Sequence, residues 1–263
     1  MSAFVLIWLS FSAQSLELQG TLTQGSLIRG QLEPGAQLRL NDEPIRVTAE
    51  GKFVLGFGRK AALEQRLTII GADGKMREEN IQLSPREYKI QRIEGIAKRI
   101  MKPDPDNVAR AQADAKRTRA ARARFEQQTS WQQSFIWPLK GPITGVYGSQ
   151  RFYNGEPRSP HYGVDVAAPT GTTVVAPADG VITLVGDLFY SGGTVIIDHG
   201  FGVSSTFLHL SKMLVTEGQQ VKQGDIVAEV GATGRVTGPH LDWRMNWFKQ
   251  RVDPALLVPP MAR

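Results

Sequence analysis

From Trp137 to Val230 the chain is a series of short runs of β-branched and aromatic residues, cut at intervals by glycine. Thr172–Val175, Val181–Val185, Thr194–Ile197, Val203–Phe207 and Ile226–Val230 are the runs, and Gly180, Gly192-Gly193, Gly200 and Gly231 are the cuts. No helical period survives in segments this short, and β-branched side chains fit a pleated surface better than a helix. This half is therefore predicted to be all-β. From Leu16 to about Ile93 the texture is similar: Gln37–Leu40, Lys52–Leu55 and Arg66–Ile70 alternate, with turn signals at Pro34-Gly35, Asn41-Asp42, Glu50-Gly51 and Asp73-Gly74. Such spacing predicts a small antiparallel β-sandwich. A chain of 263 residues holds two such domains and a connector.

The connector differs in kind. Pro103-Asp104-Pro105-Asp106-Asn107 reads as a stop followed by a helix N-cap at Asp106 or Asn107. Val108 to Gln128 is rich in Ala, Arg and Gln, which predicts an exposed helix carrying Arg110, Lys116, Arg117, Arg119, Arg122 and Arg124. Two readings stay open for it: a solvated face, or a basic rail for an anionic polymer or membrane headgroups. The whole chain carries a net charge of +6, which favours anionic partners. Nucleic acid is not expected among them, because no interleaved aromatics or recognisable module accompany the charge.

At the N-terminus, Ala3 to Phe11 is an apolar run too short to span a bilayer as a mature helix. Ala13-Gln14-Ser15 follows as an A-x-S cleavage signal, so the mature chain is expected to start near Leu16 and to keep no stable membrane span. The expected division is a signal peptide at 1–15, an N-terminal β domain at 16–95, a linker with a basic helix at 96–134 and a C-terminal β domain at 135–258. The chain has no cysteine, which excludes disulfides, thiolate metal ligands and thiol nucleophiles together.

All four histidines, His161, His199, His209 and His240, lie in the C-terminal half. His161 and Asp165 are four residues apart on a strand-like segment, and His240 and Asp242 are two apart. Even spacing on a strand brings both members of each pair to one face. A catalytic zinc site takes three protein ligands from nitrogen and oxygen donors and keeps one position open for water. His161, Asp165 and one member of the second pair have the chemistry for it. The first 93 residues contain no histidine and no catalytic constellation, so binding, spacing or occlusion is the role left to them.

Six ordered blocks then carry a resemblance. They run through Trp137-Pro138 to Gly148, Arg158-Ser159-Pro160-His161-Tyr162-Gly163-Val164-Asp165, Pro177-Ala178-Asp179-Gly180, Ile197-Asp198-His199-Gly200, Phe207-Leu208-His209-Leu210-Ser211 and Gly231 to Asp242. This ordered set resembles the LytM-type M23 metallopeptidases, the lysostaphin-like peptidoglycan endopeptidases. The resemblance implies a barrel-like antiparallel β peptidase domain, a Zn²⁺ cofactor, a peptidoglycan substrate and a periplasmic place in a Gram-negative-type envelope. It implies His161 and Asp165 as zinc ligands and His209 and His240 as catalytic histidines. His199 is read as structural, closing a turn. Val221 to Val227 is similar to a biotinyl or lipoyl carrier segment but lacks the carrier lysine.

One position departs from the family. Its last block normally ends His-x-His, the second histidine being the third zinc ligand, and here that residue is Asp242. In one reading Asp242 ligates the metal, since carboxylate oxygen binds zinc at about the same distance as imidazole nitrogen. That site is harder and more anionic, and more open to Mn²⁺. In the other reading the domain holds no metal and acts through wall amidases or divisome proteins as partners.

Overall fold

The computed structural model describes residues 16–94, 105–123 and 127–261. The expected signal segment lies outside them. Among the described residues the structure is mostly strand, with a single α-helix. No described helix is long and apolar enough to cross a membrane.

In the N-terminal half, β1 (Glu17–Gln19), β2 (Leu27–Gln31) and β5 (Lys52–Gly56) form one antiparallel sheet. A second has the order β4-β3-β6-β7, from β3 (Gln37–Leu40), β4 (Glu43–Ile45), β6 (Glu64–Ile70) and β7 (Met76–Gln82). The β3–β4 turn is the expected Asn41-Asp42, with φ of 48° and 71°. Two left-handed residues are what a twist-matched two-residue hairpin needs, and Asn and Asp tolerate that conformation best after glycine. Leu38, Leu40, Leu67 and Ile69 point inward to meet Ile28, Phe53 and Leu55 in a buried core. The expected sandwich is present.

The chain then leaves through β8 (Ile90–Ile93), which pairs in parallel with β10 (Gln150–Tyr153); β11 (Glu156–Pro157) completes that sheet. Helix α1 (Pro105–Ala123) lies between these strands in sequence. It begins at Pro105, whose fixed φ and missing N–H suit the first turn. Asp106 and Asn107 therefore lie inside the helix, past the position expected of an N-cap. Nor is α1 exposed all round: Ala121 is buried against Leu184, Leu188 and Ile196. Its small side chain lets the helix approach the sheet.

That sheet is the main feature of the C-terminal half. It runs β18-β14-β15-β16-β20-β12-β9, with β21 added beside β20. The strands are β9 (Ile143–Gly145), β12 (Val164–Ala167), β14 (Gly180–Leu188), β15 (Gly192–Gly200), β16 (Val203–Leu210), β18 (Gln220–Val221), β20 (His240–Trp247) and β21 (Gln250–Val252). All these pairings are antiparallel. The sheet stays open, with no closed barrel among the described residues. A smaller sheet of β13 (Thr173–Val175), β19 (Ile226–Glu229) and β17 (Lys212–Met213) shares its core.

Every residue of β15 and β16 is buried, because both faces of the sheet are covered. On one face Val195, Ile197, Phe207, Leu241 and Trp243 join Trp131 and Phe135 in the largest core. The alternate residues form the other face, where α1 covers Ile196 and the cleft begins. Period-two alternation along β20 puts His240, Asp242, Arg244 and Asn246 on this cleft face.

The two halves are joined by packing and by charge. Leu27 and Val54 belong to the C-terminal core. Arg29 donates to the carbonyls of Trp131 at 2.8 Å and Gln133 at 2.7 Å. Arg86 meets the buried carboxylate of Asp253 at 2.9 Å.

Candidate metal centre

The pairing of β12 with β20 builds the centre. Asp165 is the direct cross-strand neighbour of Asp242, and Ala167 that of His240. Two carboxylates facing each other across a ladder repel, so this register calls for a cation between or beside them. His161 enters from the segment before β12. Its backbone is pinned by His161 N–H donating to Ser149 O at 2.7 Å and by Gly148 N–H donating to His161 O at 2.8 Å.

The result is a cluster in which His161, Asp165 and Asp242 each offer a ligand atom, all within 4.8 Å of one another. His161 Nε2 and Asp165 Oδ1 stand 3.1 Å apart. They are not aligned as a hydrogen bond, and both atoms are buried with no hydrogen-bond partner. A buried donor or acceptor left unpaired is costly. Two such atoms converging on a third donor fit a metal ion that satisfies them together, and this nitrogen-and-oxygen set suits zinc. Burial opposes charge on His161, but Asp165 and Asp242 outweigh it and raise its pKa.

Asp242 is 2% exposed and already has a partner. Arg244, two residues along β20, donates Nε to both carboxylate oxygens at 3.0 Å and Nη2 to Oδ2 at 2.5 Å. Burial works to raise the Asp242 pKa, and the guanidinium more than offsets it, holding the carboxyl below its usual range. Arg244 thus cancels the charge that an aspartate adds in place of a neutral histidine. Each carboxylate oxygen keeps lone-pair capacity for a second interaction.

The two remaining histidines stand beside this cluster. The rings of His209 and His240 are 4.9 Å apart between centroids, and His240 Nε2 is 3.9 Å from Asp165 Oδ1. His209 Nδ1 is 2.9 Å from Thr233 O, and His240 Nδ1 is 2.9 Å from Gly238 O. A carbonyl only accepts, so each Nδ1 carries a proton, and in the neutral ring it is Nε2 that keeps the lone pair. His209 also has φ of 67°. For a non-glycine residue this left-handed backbone costs about 1–2 kcal/mol. Its N–H donates to Ser191 O at 2.8 Å, which holds the turned backbone in place. Burial lowers the His209 pKa, so its ring favours the neutral form.

All five residues read from the sequence as ligands or catalytic groups therefore meet in one place, and His199 does not join them. Fully buried, it donates Nδ1–H to Asp179 O at 2.7 Å, accepts from Ser205 at 2.8 Å and packs edge-on against Phe135. The structural reading of His199 fits this packing.

Sequence reasoning missed the supports. Besides Arg244, these are Thr233, whose carbonyl orients His209, and two glycines. A methyl group on Gly145 would strike the Asp165 carboxylate, and one on Gly163 would strike Asp242 Oδ1 and the Trp243 carbonyl. The +2 offset of Arg244 from Asp242 on one strand was the available signal for the arginine.

The centre opens into a cleft of about 1830 Å³ between α1 and the sheet face. Eight Lys or Arg side chains line it against two Asp, so its electrostatics select for anions.

Comparison with known proteins agrees with this geometry. The model of peptidase family M23 matches residues 159–254. The chain is 45% identical over 108 residues to the peptidoglycan DD-endopeptidase ShyA of Vibrio cholerae, covering 38% of this chain and 25% of that one. It is 44% identical over 100 residues to the DD-carboxypeptidase/endopeptidase Mpg of Neisseria meningitidis, covering 38% of this chain and 23% of the relative. The chain thus spans about a quarter of the length of these curated relatives. A Pseudomonas aeruginosa crystal structure assigned to peptidase M23 is 30% identical, with a TM-score of 0.71, covering 90% of this chain and 95% of that one.

Proposed function

Because the chain belongs to peptidase family M23, we propose that it is a zinc metalloendopeptidase that hydrolyses peptide cross-links or stem peptides of bacterial peptidoglycan. One observation carries this reading. His161 Nε2 and Asp165 Oδ1 are buried, 3.1 Å apart without an aligned hydrogen bond, and convergent with Asp242, beside two imidazoles whose Nδ1 atoms are held by carbonyls. The peptidoglycan endopeptidases among its relatives point to the substrate.

His161, Asp165 and Asp242 would hold the ion, which when bound supplies a Lewis acid for the scissile carbonyl and a lowered pKa for water. The protein's own part is proton handling and orientation. In the resting tautomers set by Thr233 O and Gly238 O, the Nε2 of His209 or of His240 accepts the proton of the attacking water. The ring that has taken it then presents Nε2–H to the developing oxyanion, or delivers the proton to the leaving amine. Arg244 keeps Asp242 ionised and fixed. The left-handed backbone of His209 aims its ring into the cleft where the peptide lies. This activity implies export, and the proposed compartment is the periplasm.

The Asp242–Arg244 pair favours a second reading, since a guanidinium already neutralises that carboxylate. In that reading the domain is metal-free and activates wall amidases or other divisome partners. Metal analysis of the purified chain with a sacculus digest separates the two. The peptidase reading expects about one equivalent of zinc and released cross-link fragments. It also expects His209→Ala and His240→Ala to keep the zinc while the rate falls by about a hundredfold or more. Metal-free protein that cleaves nothing but stimulates an added amidase establishes the second reading.

A further inference from the structure

The cleft floor beside the metal centre holds more positive charge than the fold's own carboxylates neutralise. Thr206 of β16 lies opposite Arg244 in the ladder, and Asn246, two residues further along β20, lies opposite Arg251 of β21. Arg122 reaches the same strip from α1, donating Nη2–H to Thr206 Oγ1 at 3.1 Å. Arg251 donates to Asn246 Oδ1 at 3.2 Å and lies over the Tyr162 ring at 5.9 Å. All three arginines line the cleft.

Among the described residues, Arg244 alone of the three pairs with a carboxylate. Among the described residues no Asp or Glu forms an ion pair with Arg122 or Arg251, and Arg122 Nε is buried with no hydrogen-bond partner. Burial depresses the pKa of both, with mutual repulsion from Arg244 adding to it, and Arg251 is brought down to about 10. Packing three guanidiniums together with only one of them ion-paired opposes folding unless an anion compensates. The helix is also held without Arg122, by Ala121 and by Asp114 accepting from Phe189 N–H at 2.8 Å.

We propose that Arg122, Arg244 and Arg251 form a carboxylate-binding subsite on the cleft floor, which holds a free carboxylate of the peptide substrate one or two residues from the scissile bond. The proposal rests on the peptidase reading and adds to it what selects the substrate. The placement follows from the ladder. Arg244 is two strand residues from Asp242, about 7 Å of rise, and an extended substrate peptide advances about half of that per residue. Planar guanidiniums match carboxylate oxygens two at a time, which fits an organic acid group better than a diffuse charge. Arg122 comes from the helix, so the subsite also gives α1 a role in substrate recognition.

The test uses the whole chain, stripped of metal by chelation so that nothing turns over. Its probes are a cross-linked stem-peptide dimer with free carboxylates and the same dimer with those groups converted to primary amides. Calorimetry should show the acid form binding about tenfold or more tightly than the amide. Arg122→Gln and Arg251→Gln should each remove most of that preference, and Arg122→Lys should keep part of it. Equal affinity for acid and amide overturns the subsite, and because that comparison uses unaltered protein it does not depend on how the variants fold. A sacculus digest alongside keeps the two readings apart. Cleavage with equal affinities discards the subsite alone, whereas acid preference without cleavage discards the peptidase reading alone.

Discussion

His199 and Asp242 are both buried and polar, and they respond to solution conditions in different ways. The His199 ring is neutral between a carbonyl and a hydroxyl, and burial takes its pKa from the ordinary 6.5 down to about 4. Between those two values the unfolded chain binds a proton that the folded chain refuses. Stability is therefore intact above about pH 6.5 and declines as pH falls, by about 3 kcal/mol at pH 4. Urea midpoints taken across this range should show the decline in the parent and little of it in His199→Gln. Asp242 depends on a partner instead. In Arg244→Met two facing carboxylates lose their guanidinium, so the metal-free variant should melt well below the metal-free parent. Added zinc should close most of that gap, because the ion supplies the missing positive charge. Thermal scans with and without zinc read this directly, and an unclosed gap would argue against metal at Asp242.

At the scale of elements, the strand runs and turns could be read locally. Alternation and glycine spacing describe a residue and its near neighbours, so Gln37–Leu40, the Asn41-Asp42 turn and the two long buried strands were all visible. The site residues were visible too, because even spacing and family blocks are sequence properties. What was hidden depends on register. Nothing near Gly163 in sequence says that Asp242 lies against it, and nothing near Arg122 says that it will reach Thr206 across 84 residues. The helix start was misplaced because Pro105 reads as a stop until it is seen as a first-turn residue. Gly163→Ala should test the register argument: the added methyl meets rigid backbone at Trp243 O as well as Asp242. The expected cost is about 1–3 kcal/mol of stability by denaturant melt, together with a clear loss of zinc affinity. Gly155→Ala makes a comparison, since its methyl meets nothing within 4 Å and only its left-handed backbone is strained.

For the whole molecule, the N-terminal sandwich is part of the C-terminal half's packing. Leu27 and Val54 sit in the larger core, Gly56 lies against Trp247, and Arg86 neutralises the buried Asp253. A chain beginning at residue 127 would uncover that apolar surface and leave the Asp253 carboxylate unpaired. It should be recovered mostly as aggregate, or melt far below the full chain in calorimetry, while co-expressed residues 16–94 rescue solubility. A soluble fragment with the parent's melting point would show that the halves fold independently.

The parallel ladder between β8 and β10 also bears on the order in which the molecule assembles. Ile90 waits for Gln150, sixty residues further along, and the helix and the first C-terminal strand lie within that loop. Local hairpins such as β3–β4 form early, whereas a contact this distant adds the entropy of closing a long loop. The seam between the two halves is thus the last part of the fold to set. In pulse-labelled hydrogen exchange, the amides of 90–93 and 150–153 should gain protection after those of β6, β15 and β16.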